Sequence, residues 1–211
     1  RLHGERPMSG LPPHGLAQWL DELDLFIDWY GPAVGLDLDR ESWRSVWTAV
    51  LSSVERDGLG PVTVLRDYHA ENIMLIDRPE VRGLGLLDFQ DALAGHPAYD
   101  LVSLLQDARR DVPPELEAAM LAHYHAVANP PADFDAAYAV LGAQRNAKII
   151  GIFTRLWKRD HKPRYLSYLP RMWGLLERDL AHPALAPVKA WFDANIPADK
   201  RHHALEEFAQ A

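Results

Sequence analysis

The sequence predicts an α+β chain, mostly helical, with a small irregular sheet near its middle. Three observations carry this. Apolar residues recur at helical spacing up to Val54 and again after Asp100. Between those stretches lie three short runs, Val62-Thr63-Val64-Leu65, Ile73 to Ile76 and Leu84 to Leu87. They are β-branched or leucine-rich, each is too short for a helix standing alone, and Gly, Pro and Asp separate them.

Residues 1–15 hold Gly4, Pro7, Gly10, Pro12 and Pro13 and read as a connector; residues 16–211 form the domain. Leu16, Trp19, Leu20, Leu23, Ile27 and Tyr30 make the first helical stripe, which Gly31-Pro32 is expected to stop. Trp43, Val46, Trp47, Val50, Leu51 and Val54 make the second, with Asp39 as its N-cap. The three short runs follow as strands, and the turn between Ile76 and Leu84 returns the last two antiparallel. Beyond Asp100, one stripe runs through Leu101, Leu104, Leu105 and Ala108. Pro113-Pro114 opens the next, with Leu116, Ala119, Met120, His123 and Val127. A long helix carries Phe134, Tyr138, Leu141, Ile149, Ile152 and Leu156; Pro170 to Leu180 and Ala184 to Asn195 complete the set.

Bulk properties narrow the function. The 211 residues suffice for one sizeable core, and 48% hydrophobic with 25% charged residues is ordinary for a globular protein. A net charge of -8, from 22 basic and 30 acidic residues, disfavours a nucleic-acid binder, which needs a basic face. With no cysteine there is no disulfide, thiolate nucleophile or Cys-type zinc site, which fits a reducing cytoplasm. No apolar run approaches the roughly 20 residues a membrane helix needs, so no membrane partner is expected.

The chemistry sits on the loops of the predicted sheet. Asp67 and Asn72 frame four residues after the first run, and Asp88-Phe89 follows the third. Phosphoryl transfer needs an acceptor hydroxyl in line with phosphorus and the transferring charge neutralised. Asp67 suits the hydroxyl proton. The Asn72 amide oxygen and the Asp88 carboxylate suit magnesium, a hard cation that takes oxygen ligands.

Three stretches carry a family resemblance: Arg66-Asp67-Tyr68-His69-Ala70-Glu71-Asn72, Leu87-Asp88-Phe89-Gln90-Asp91-Ala92 and Gly95-His96-Pro97-Ala98-Tyr99-Asp100-Leu101. Together they resemble the aminoglycoside phosphotransferase/choline kinase superfamily, of protein-kinase-like fold. They are most similar to the bacterial anomeric kinases of N-acetylmuramate and N-acetylglucosamine. Glu22-Leu23-Asp24-Leu25-Phe26, Gln144 to Ile149 and Lys162-Pro163-Arg164-Tyr165-Leu166 extend the likeness. The resemblance implies ATP and Mg2+, Asp67 as catalytic base, Asn72 and Asp88 as metal ligands, and Asp100 as a buried support of the catalytic loop. His69 is expected to orient the loop backbone. Leu65 stands where the family usually has His, and Gln90 where protein kinases have Gly. The likeness spans nearly the whole chain but only the family's C-terminal lobe. Residues 1–211 contain no glycine-rich phosphate loop after a strand and no strand lysine paired with a helix glutamate; Gly58-Leu59-Gly60 and Gly83-Leu84-Gly85 are too short. The expectation is therefore a C-terminal lobe, inactive without its N-terminal partner lobe.

Other residues carry two readings each. Arg145 lies on an apolar helical face, so it forms a buried ion pair or meets substrate or phosphate; Asn146 and Lys148 share that choice. Asp91 either contacts sugar hydroxyls or closes a local turn. The ten histidines show no metal-binding helical pair and read as core or surface rings. The tryptophans read as core, with Trp29, near Asp24 and Asp28, the one placed to stack on a sugar. Lys200-Arg201-His202-His203 reads as a solvated helix start. Two further functions stand beside the amino-sugar kinase: a kinase for an aminoglycoside or choline-like alcohol, and a non-catalytic kinase-like module.

Overall fold

The computed structural model describes residues 2–202. The architecture is α+β and predominantly helical. In chain order it comprises β1 (Pro13–His14), α1 (Leu16–Leu25), a π-helical turn (Phe26–Tyr30), α2 (Gly31–Ala33), α3 (Arg40–Val54), β2 (Val62–Val64), β3 (Ile73–Leu75), β4 (Leu84–Leu86) and β5 (Leu93–Gly95). Then come α4 (Ala98–Leu105), α5 (Pro114–Ala128), α6 (Phe134–Lys158), α7 (Leu169–Leu180) and α8 (Ala186–Asn195). No helix among the described residues is long and apolar enough to cross a membrane.

The three predicted strand runs do not share one sheet. β3 and β4 form a separate antiparallel hairpin, with Ile73 opposite Leu86, while β2 joins a three-stranded sheet of order β1-β5-β2. There β5 runs parallel to β1 and antiparallel to β2. β1 lies inside the segment expected as a connector; two residues beginning with Pro give no alternation to read. Gly95 lets β1 come close, since a Cβ there would lie 2.9 Å from the His14 Cβ.

The Asp39 cap is present, its carboxylate accepting the Ser42 N–H at 2.8 Å. Gly31-Pro32 does not stop the first helix. The Gly31 N–H bonds to the Phe26 carbonyl five residues back, and the widened turn admits Pro32 where its missing donor falls in a first turn. The chain leaves the helix at Gly35, in the left-handed region at φ 75°. The stripe predicted for α5 faces outward: Leu116 is 47%, Met120 40% and Val127 73% exposed. Buried Glu117 sets the rotation instead, accepting from Tyr138 Oη at 2.7 Å and Arg178 Nη2 at 3.0 Å, while Leu121 and Tyr124 pack on the core.

α6 is the central rod, buried against α1, the π turn, α4 and α7. Its Gly151 meets backbone directly: a Cβ there would stand 2.4 Å from the carbonyl carbon of Leu25. Phe26, Tyr30, Trp43, Trp173, Trp191 and Phe192 form one aromatic cluster at the meeting of the π turn, α3, α7 and α8. Arg201 seals the end of α8, donating to the carbonyls of Phe192 at 2.9 Å and Ile196 at 2.8 Å, rather than opening a solvated helix; His203 lies outside the described residues.

Candidate active site

The loop from Leu65 to Asn72 leaves β2, turns under itself and enters β3. Its turns are local: the Asp67 N–H bonds to the Leu65 carbonyl at 2.8 Å, His69 N–H to Asp67 O at 3.1 Å and Asn72 N–H to His69 O at 2.9 Å. Arg66 sits at φ 66°, a conformation that a non-glycine residue holds only when its surroundings impose it. Asp67, next in the chain, is exposed.

What imposes the bend comes from α4. His96 Nδ1 accepts the Ala98 N–H at 3.2 Å, and its Nε2 lies 2.7 Å from Asp57 Oδ2. Burial lowers the His96 pKa despite Asp57, consistent with a neutral ring that accepts at Nδ1 and donates at Nε2. Pro97 precedes the helix, and Asp100, in its first turn and 1% exposed, points back at the loop. Its carboxylate accepts from the Leu65 N–H at 2.9 Å and the Arg66 N–H at 3.0 Å. One turn on, Ser103 Oγ donates to the Arg66 carbonyl at 2.9 Å and accepts from Arg145 Nη2 at 2.9 Å.

The second arm is the hairpin. The Leu87 N–H bonds to the Asn72 carbonyl at 2.9 Å, so the chain delivers Asp88 beside Asn72. Asp88 is also left-handed, at φ 56°, and accepts from Gln90 Nε2. Asn72 Nδ2 donates to the Asp67 carbonyl at 2.9 Å. A carbonyl takes only the NH2 end of an amide, so the Asn72 oxygen is left free for a cation. One amide oxygen and one carboxylate fit magnesium, which keeps waters and takes substrate phosphates for its remaining positions. Among the described residues no three His, Asp or Glu side chains converge on a metal-holding point.

The remaining residues singled out from sequence fall as follows. His69 is buried; its Nε2 lies 3.5 Å from Asn72 Nδ2 and 3.3 Å from Arg109 Nη1, and burial followed by Arg109 lowers its pKa. The ring thus stands beside the Asn72 side chain, and its Nδ1 has no partner among the described residues. Arg145, 4% exposed, reaches Ser103 and no carboxylate among the described residues, so the first of its two readings, a buried ion pair, is not formed there. Asn146 is fully buried, donating to Gln106 Oε1 at 2.7 Å and Asp179 Oδ2 at 3.0 Å, a placement that gives it no face toward a sugar. Asp91 is exposed, three residues past Asp88. Trp29 is half-buried, but Asp24 is taken by Arg40 at 2.8 Å and Arg44 at 2.6 Å, and Asp28 by Arg40. Ser103 and Glu22 belong to the loop's support; Glu22 lies in a stretch that extends the family likeness, but the sequence assigns neither residue a role. A serine inside an apolar stripe and a glutamate on a helix rich in acids carry no distinguishing pattern.

Comparison with known proteins adds an independent line. The phosphotransferase enzyme family model matches residues 1–140. The chain is 44% identical over 185 residues to the N-acetylmuramate/N-acetylglucosamine kinase of Caulobacter vibrioides, covering 84% of this chain and 50% of that protein. It is 38% identical over 188 residues to the enzyme of the same name from Pseudomonas aeruginosa, covering 83% and 54% respectively. The Neisseria meningitidis serogroup B protein of that name is 35% identical over 195 residues, covering 85% and 56%. The chain spans about half the length of the curated relatives it matches.

Proposed function

This chain belongs to the phosphotransferase enzyme family, and we propose that it forms the C-terminal, catalytic lobe of a kinase that uses ATP and magnesium. The acceptor proposed is the anomeric hydroxyl of N-acetylmuramate or N-acetylglucosamine, and the setting is the cytoplasm. The observation that supports the reading is the stitching of the two arms: the Asn72 side chain donates to the Asp67 carbonyl and its own carbonyl accepts from Leu87, the residue before Asp88. The names of the curated relatives support the choice of acceptor.

In this mechanism Asp67 accepts the sugar hydroxyl proton as the oxygen attacks the γ-phosphorus and the bond to the β–γ bridging oxygen breaks to release ADP, with the loop setting the line of attack. Asn72 and Asp88 would hold a magnesium ion, which would supply positive charge to neutralise the phosphates. Asp91 offers a carboxylate at the sugar side. The 211-residue chain alone is proposed to turn over no ATP, because its sequence includes no glycine-rich loop to cover the phosphates.

The test is made in the natural protein that contains residues 1–211. Asp67→Asn keeps shape and removes the base; transfer to N-acetylglucosamine should fall by about a hundredfold or more at unchanged thermal stability. Activity near wild type would remove Asp67 from the mechanism. A preference for a cationic amino alcohol over either sugar would overturn the acceptor.

A further inference from the structure

A buried charge centre lies beneath the candidate base, outside the residues assigned to chemistry. Glu22, on α1, is 5% exposed. Its Oε1 accepts from Arg66 Nη2 at 2.6 Å and stands 2.8 Å from Lys148 Nζ on α6. Its Oε2 accepts from Gln144 Nε2 at 3.2 Å and lies 3.6 Å from His14 Nε2 on β1. Lys148 also donates to Tyr99 Oη at 3.1 Å. Three elements and the loop thus meet on one carboxylate, and Lys148 links it to α4 through Tyr99.

The charges are fixed. Burial favours the neutral acid, but Lys148 and His14 outweigh it and hold the Glu22 carboxyl well below the usual range. Burial lowers His14, leaving its ring neutral near pH 7. The centre is therefore one anion shared by two cations. Such a cluster is a costly way to join helices that already pack closely, as α1 and α6 do where Gly151 meets the backbone of Leu25. What the carboxylate adds is direction. It anchors the side chain of Arg66, the left-handed residue before Asp67, while Asp100 and Ser103 hold its backbone on the α4 side.

We propose that Glu22 is a positioning residue for Asp67, clamping Arg66 by its guanidinium so that the strained bend, and with it the base, keeps one orientation. This rests on the phosphoryl-transfer reading above. Lys148 keeps the centre charged but does not touch the loop, and the two roles are separable.

Glu22→Gln and Lys148→Met both break the centre, and thermal unfolding ranks their structural effects. In the natural protein containing this chain, with N-acetylglucosamine as acceptor, Glu22→Gln should lower kcat about tenfold or more with KM nearly unchanged. Lys148→Met, which leaves the Arg66–Glu22 pair, should lower kcat by less than about threefold at an equal loss of Tm. Glu22→Asp, which keeps the charge, should recover part of the loss. In the 211-residue chain, where no turnover is needed, amide exchange at Arg66 and Asp67 should rise about tenfold in Glu22→Gln and stay near wild type in Lys148→Met. Losses of kcat that simply track Tm in both variants, or unchanged exchange at Arg66 in Glu22→Gln, would overturn the clamp. A wild-type protein without transfer activity would sink the kinase reading, and the exchange measurement would still decide the clamp. Should Glu22→Gln not fold, Arg66→Lys, which keeps the charge and loses the fork, carries the same comparison.

Discussion

Removing the Asp100 carboxylate should cost more stability than any other polar substitution around the loop. The carboxylate is 1% exposed and serves two backbone donors, the Leu65 N–H at 2.9 Å and the Arg66 N–H at 3.0 Å. Asp100→Ala leaves both donors without a partner where water does not reach easily. An orphaned buried donor costs about 1–3 kcal/mol, so the pair amounts to roughly 2–6 kcal/mol. Asp100→Asn keeps one acceptor oxygen and turns an NH2 toward the other donor, so about half that loss is expected. Against a typical domain stability of about 5–15 kcal/mol, the alanine variant should be visibly marginal. Urea unfolding at neutral pH measures it: the midpoint should fall at constant m, in the order wild type, Asp100→Asn, Asp100→Ala. Amide exchange should accelerate first at Leu65 and Arg66. An alanine variant within about 0.5 kcal/mol of wild type, with those amides still protected, would refute the assignment of the loop's support to this carboxylate.

Gly151→Ala should destabilise the chain by about 3 kcal/mol or more, because the added methyl would stand 2.4 Å from the Leu25 carbonyl carbon and backbone cannot swing aside as a side chain can; a Tm shift under two degrees would contradict the close approach. Asp179 should give the chain an alkaline weakness. Burial pushes its carboxyl up to about 8, against the Gln106 and Asn146 donors, so the folded state holds a proton that the unfolded chain releases near pH 4. Its contribution is full below that unfolded value and is lost as pH rises toward 8, at up to about 1.4 kcal/mol per pH unit. Asp179→Asn should flatten the stability profile in that window, and an unchanged slope would show the group ionised in the fold. Glu22 has the opposite sign: its depressed pKa contributes above the unfolded value near 4.5 and is lost only as the solution turns strongly acid, so Glu22→Gln should steepen nothing above pH 5.

Most of the helical frame was legible because its apolar residues repeat at the helical period over three turns or more, as in α3 and α6. The exceptions are physical. α5 has a readable stripe, yet the stripe faces out, because one buried glutamate with Tyr138 and Arg178 as partners fixed the rotation. A period identifies a helix; it does not say which face a strong polar contact will claim. β1 and β5 escaped because two or three residues containing Pro and Gly carry no alternation, and their pairing is set by contacts from distant sequence. The Gly31-Pro32 stop failed because a π turn relieves the clash that makes proline a breaker, and nothing in the residue order announces that widening.

The site divides along the same line. Asp67, Asn72 and Asp88 stood out because their spacing is local and their chemistry is unusual between apolar runs. The residues that hold them did not: Glu22 meets Arg66 across 44 positions, and Asp100 meets Leu65 across 35. Only the second pair was anticipated, and then through family likeness. The consequence concerns how the loop is built. A non-glycine left-handed residue costs of order 1–3 kcal/mol, and Arg66 sits there next to an exposed acid. Asp100 and Ser103 grip its backbone from α4 while Glu22 grips its side chain from α1, so the strain is borne by two elements. All of these contacts lie within the chain, below the surface where Asp67 is exposed. The backbone leading into Asp67 is thus held by contacts within the chain, which is the preorganisation that the proposed base would use to lower a barrier.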